Sequence, residues 1–195
     1  MPGLTNLFVE KTMQEISNHP EKFKGVMACD VFLSYMKNST KLSPKDCFII
    51  NLSSSDHRGS HFICIFLDTS TSAEYFDSFG IESFDKNINK AMNYHGIKIT
   101  HFRQRIQDIS SDFCGLFCIG YLLWRQSGLS KTKFSSLFHT EKHFINNKII
   151  SELIQMFITN NKNAKKDDKS STKCQGINFV QACSYQCSEK KFSTS

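Results

Sequence analysis

Residues 61–68 read His-Phe-Ile-Cys-Ile-Phe-Leu-Asp, with apolar side chains at even and odd positions alike. Successive residues of a strand face opposite sides of a sheet. A run of this kind is a central strand covered on both sides. The chain must therefore build a sheet flanked by helices. Residues 114–125 supply one cover: they are apolar nearly all round, hold no Pro, and predict a buried helix that stops near Gly128. Eighteen Phe against one Trp point to a Phe-rich interior. A length of 195 residues is enough for one domain with a substantial core.

The remaining elements follow from spacing. Leu4, Leu7, Phe8 and Met13 sit at helical intervals and predict an amphipathic helix over 4–16. A second short helix is predicted over 26–37 and a strand over 47–52. A polar loop covers 53–60, and a turn at 69–72 leads to a returning strand over 73–79. A helix over 82–95, a strand over 97–102 and one or two helices within 131–159 complete the pattern. The layout is α+β, a small mixed central sheet with helices around it.

From Asn160 the composition changes to Lys, Asp, Ser, Thr and Asn. Residues 161–195 hold seven Lys and three acids, so about four of the six net positive charges lie there. Residues 1–160 are read as the folded domain and 161–195 as a disordered basic tail able to meet nucleic-acid phosphates. No signal-peptide pattern opens the chain, and no apolar run reaches the roughly 18 residues of a membrane span. The expectation is an intracellular, reducing setting with free thiols, no membrane association and a monomer. Cys29, Cys47 and Cys64 read as small core residues. No Gly-rich phosphate loop is present. His139 and His143 stand four apart on an expected helix, and Cys174, Cys183 and Cys187 form a weak ligand set; neither makes a recognised zinc pattern. No metal site is assigned.

Residues 111–118 read Ser-Asp-Phe-Cys-Gly-Leu-Phe-Cys, and Gln107 lies seven positions before Cys114. Cys114 opens the buried helix, where unpaired N–H groups and the helix dipole favour a thiolate. Gly115 allows close approach of a substrate backbone. Upstream, His61 and Asp77 sit on the two strands of the expected hairpin. Both numbers are odd, which puts the two side chains on one face if the strands pair in register. A carboxylate beside an imidazole fixes its tautomer and stabilises its protonated form. The Cys114 N–H and the Gln107 amide can both donate to an oxyanion. Singly, each residue has an ordinary structural explanation; together, in this order, they describe a thiol acyl-transfer site that needs no metal.

Three blocks carry a resemblance: Gly-Ser-His-Phe-Ile-Cys-Ile-Phe at 59–66, Tyr-Phe-Asp-Ser-Phe-Gly at 75–80, and Gln-Asp-Ile-Ser-Ser-Asp-Phe-Cys-Gly-Leu-Phe-Cys at 107–118. Over about residues 45–125 the chain resembles the adenovirus maturation protease (adenain) group, within the ubiquitin-like-protein-specific cysteine proteases. The resemblance implies that fold, with His61 as general base, Asp77 as its orienting acid, Cys114 as nucleophile and Gln107 as oxyanion donor. It also implies a substrate approach past Phe62, where the group usually has Trp, and cleavage after small residues such as Gly. The implied function is a cysteine endopeptidase that matures precursor proteins of a virus or virus-like element, in the host nucleus and virion. DNA and an activating peptide are the implied cofactors, although residues 94–100 lack the Cys that tethers such a peptide. The alternatives are a protease that processes or deconjugates ubiquitin-like modifiers, and a binding module that keeps the fold without the chemistry.

Overall fold

The computed structural model describes residues 5–57 and 61–167. Helix α1 (Asn6–Ile16) is capped by Thr5, whose hydroxyl accepts from the Phe8 N–H. A short 3-10 turn leads to strand β1 (Phe23–Ala28), then α2 (Cys29–Asn38), β2 (Cys47–Asn51), β3 (Phe62–Leu67) and β4 (Ser72–Phe76). Helix α3 (Lys86–Tyr94) is capped by Asp85 and followed by β5 (Lys98–His101). Helices α4 (Cys114–Gln126), α5 (Lys131–Ser135) and α6 (His143–Asp167) close the order. The compact unit runs to Ile158. No helix among the described residues is long and apolar enough to cross a membrane.

The sheet order is β1-β2-β3-β4-β5. The outer pairs are parallel and the inner pairs antiparallel, so the sheet is mixed. Each parallel pair is joined through a helix, α2 for β1–β2 and α3 for β4–β5, as parallel neighbours require. β3 is the middle strand and every one of its residues is buried. Its odd positions Ile63, Ile65 and Leu67 join Phe48, Ile50, Ala73 and Tyr75 in a core with Phe32, Met36, Ile88 and Met92 of α2 and α3. The even positions face α4: Phe76 stacks on Tyr121 at 4.2 Å, and the Cys118 thiol meets the Phe62 carbonyl. Gly120 lets α4 and α6 close up, because a Cβ there would run into Ile150.

Two differences from the sequence pattern stand out. Residues 23–28 form a strand, β1, where 26–37 reads as one helix; α2 begins only at Cys29. Val26-Met27-Ala28 has no helix-breaking residue, so only the pairing with β2 reveals the strand. At the other end, α6 continues to Asp167, past the change of composition at Asn160. Residues 168–195 lie outside the described residues, together with the Cys174, Cys183 and Cys187 set.

Candidate active site

The ends of two strands and one helix converge. β3 starts at Phe62, directly after His61; β4 stops at Phe76, directly before Asp77; α4 starts at Cys114. His61 Nε2 and Asp77 Oδ1 are 3.0 Å apart, and the Cys114 side chain also hydrogen-bonds the His61 ring. The structure thus joins the three residues that the sequence pattern placed together. Burial drives the His61 ring toward the neutral form. The hydrogen bonds to Asp77 and Cys114 outweigh it, and the pKa rises to about 9. Asp77 is 2% exposed and is itself held, accepting from the Phe79 N–H at 2.7 Å.

The two residues are not directly opposite. Cys64 pairs with Phe76 and Ile65 with Tyr75. Continued outward, that register sets Phe79, not Asp77, against His61. Phe79 indeed stacks on the imidazole, with ring centroids 4.9 Å apart, and Asp77 reaches the ring on the diagonal. Strand alternation alone would aim odd positions at α2 and α3. His61 and Asp77 lie just beyond the strand ends, where the alternation no longer confines them, so they meet the start of α4 instead.

Gln107 arrives by a separate route. The segment after β5 runs beside the exit of β4: Phe102 N–H donates to Tyr75 O, and the N–H groups of Ile106 and Gln107 both donate to Ser78 O. Gly80 makes this approach feasible, since it has φ +71° and a Cβ would lie 2.8 Å from the Arg105 nitrogen. The Gln107 side chain is fully buried. Its Oε1 accepts from the Ser78 hydroxyl at 2.5 Å, and its Nε2 donates to Ser111 O at 2.6 Å. Behind it, Asn146 of α6 donates to the carbonyls of Ile106 and His139 and accepts from the His139 N–H, each at 2.8 Å.

Among the described residues no side chain caps α4, which starts after Phe113. Its first N–H groups therefore lack a side-chain partner at the position where a negative charge is favoured. Gly115 is buried beside Cys114. Phe62 is 6% exposed and packed within β3. Such an arrangement can present a thiolate, a protonated imidazole and uncapped backbone donors to one carbonyl group.

Ser78, Phe79, Ser111 and Asn146 were not singled out from the sequence. Phe79 follows from strand register once the hairpin is known. Asn146 shares the buried stripe of Ile150, Leu153 and Phe157, and a polar residue on such a stripe is a usable signal. Ser111 acts through its carbonyl, which no side-chain pattern reveals. His139 lies in the loop before α6 and His143 opens that helix, so the pair does not share one helical face. Among the described residues no group of three or more His, Cys, Asp and Glu could hold a metal.

No protein-family description and no curated protein matches the sequence. Solved structures do. The ASFV pS273R protease matches at 20% identity and TM-score 0.52, over 77% of this chain and 66% of that one. The chain shares the fold of that protease. The SUMO protease Ulp1, with its catalytic cysteine oxidised to a sulfinic acid, is similar at 17% identity and TM-score 0.43, over 78% of this chain and 79% of Ulp1. The likeness to the ASFV protease is one of fold, with nothing that singles out the adenoviral enzyme. The chain spans just under two thirds of the length of the ASFV protease.

Proposed function

We propose that the chain is a cysteine endopeptidase of this fold that cleaves precursor proteins of a virus or virus-like element after small residues. One observation carries the chemistry: His61 is held between Asp77 and Cys114 at the uncapped start of a buried helix. The Cys114 thiolate attacks the scissile carbonyl carbon. A C–S bond forms and the π pair moves to oxygen, where the Cys114 N–H and the second Nε2–H of Gln107 receive it. Collapse breaks the C–N bond, and the His61 imidazolium protonates the departing amine. Water then attacks the thioester while His61 takes its proton, and the Cys114 thiolate leaves. Asp77 keeps the ring oriented and supports its positive form throughout.

The precursor-cleaving role is supported by the similarity to a viral protease and by the Cys-Gly-Leu-Phe-Cys block. The same proposal includes DNA as a partner of the Lys-rich segment 161–195 and a setting in the host nucleus and virion. The test is cleavage of fluorogenic peptides ending in Gly-Gly-aminocoumarin, with and without duplex DNA. Release by the wild-type chain and none by Cys114→Ala is the expected result. No release under either condition would contradict it. A ubiquitin-like modifier bearing a C-terminal vinyl sulfone should leave Cys114 unmodified; efficient labelling would move the assignment to a modifier-specific protease.

A further inference from the structure

The Ser78 hydroxyl lies below the surface in a place the acyl-transfer steps do not use. Ser78 is fully buried and follows the Asp77 carboxylate directly. Its carbonyl accepts from the N–H groups of Ile106 and Gln107, and its hydroxyl donates to Gln107 Oε1. The Gln107 amide is thus gripped at both ends. The Ser111 carbonyl selects the Nε2 end, since an oxygen turned toward it would face a second acceptor. The Ser78 hydroxyl holds the Oε1 end. One of the two Nε2–H bonds is committed to Ser111 O, which leaves the other with a fixed direction.

We propose that Ser78 is a positioning residue that presents the Gln107 amide to the oxyanion, so that the dipeptide Asp77-Ser78 orients the base and the oxyanion donor together. This rests on the cysteine-protease function proposed above. The physical reason is the cost of a loose donor. Oxyanion stabilisation depends on donors fixed before charge develops, and an amide free to rotate loses much of that benefit. Without the Ser78 hydroxyl, Gln107 Oε1 becomes a buried acceptor with one partner fewer, and the amide turns to recover one.

The test separates reactions that form an oxyanion from one that does not. A peptide ending in glycinal adds reversibly to a thiolate: a C–S bond forms, the carbonyl π pair moves to oxygen, and a hemithioacetal oxyanion results. Iodoacetamide alkylates the same thiolate by displacing iodide, with no oxyanion. The full chain is alkylated with and without the peptide, and mass spectrometry locates the adduct on Cys114. In wild type the aldehyde should protect Cys114. In Ser78→Ala, alkylation alone should be unchanged while the aldehyde concentration needed for protection rises roughly 10-fold. Ser78→Cys keeps a similar shape with a weak donor and should behave likewise, which covers the case in which Ser78→Ala does not fold. Adding either change to Gln107→Ala should weaken protection no further, because residues acting through one group are not additive. Wild-type protection with unaltered protection in the folded Ser78 variants, or an additive loss in the double variant, would overturn the role of Ser78. No protection in wild type would instead overturn the protease assignment.

Discussion

Helix α4 carries a charged cluster at each end, and the two are built differently. At its C-terminal end Arg125 donates to Glu74 from Nε at 2.7 Å, to Asp68 at 3.0 Å and to the Leu129 carbonyl at 2.6 Å, and lies over the Phe66 ring. Glu74 also accepts from the Tyr121 hydroxyl at 2.7 Å. Burial and the Glu74 carboxylate push the Tyr121 hydroxyl up, so it stays a donor. Every charge there has a partner, and a cation at a helix C-terminus is favourable. At the N-terminal end no side chain among the described residues caps the helix, and the His61 ring bridges a carboxylate and a thiol. One end is closed and satisfied; the other keeps backbone donors and a thiol unspent. The same helix is anchored at one end and chemically poised at the other.

The largest effects should fall on activity and be confined to the open end. Cys114→Ala or His61→Ala is expected to lower peptide cleavage by at least about 10⁴-fold, while the melting temperature of Cys114→Ala changes little. A large drop in melting temperature for Cys114→Ala would show that this end is structural too.

The closed end should give the converse. Glu74→Ala leaves the part-buried Arg125 with only Asp68 and the Leu129 carbonyl, at a cost of about 2–3 kcal/mol and a melting-temperature fall of roughly 5–10 °C. Cys114 in the folded variant should still alkylate selectively. Loss of that selectivity at a temperature where the variant is folded would show the two ends to be coupled.

Between the two lies Gly120, where α4 touches α6. Gly120→Ala should cost about 1–3 kcal/mol by overpacking against Ile150, read by urea unfolding. A neutral result would mean that Ile150 has room to move aside.

The remaining effect is on pH dependence. The His61 pKa is about 9 in the folded chain, raised from 6.5. A raised pKa contributes stability that is full below about 6.5 and is lost as pH rises through about 9. The melting-temperature gap between wild type and His61→Gln should therefore narrow from pH 6 to pH 9.5. A gap that widens over that range would mean that His61 is neutral in the folded state.

Legibility in the sequence followed the same division. Residues 61–68 announced the central strand because burial on both faces leaves its mark in every side chain, and residues 114–125 announced α4 for the same reason. That His61, Asp77 and Cys114 come together was legible because residue type and order suggested the grouping. β1 was not, because its strand character comes from pairing with β2. Nor was the grip on Gln107, in which Ser111 contributes a carbonyl and Ser78 a hydroxyl that looks like any other serine. The hairpin offset that puts Phe79 over His61 depends on register, which residue parity alone does not specify.

The most direct measurement is the rate of Cys114 alkylation by iodoacetamide against pH, in wild type and in His61→Ala, with the adduct located by mass spectrometry. The expected result is selective labelling of Cys114 at pH 6, where ordinary thiols with pKa about 8.5 react slowly, and loss of that selectivity in His61→Ala. Labelling of Cys114 at pH 6 no faster than in the urea-unfolded chain, or equally fast without His61, would contradict a thiolate held by this histidine.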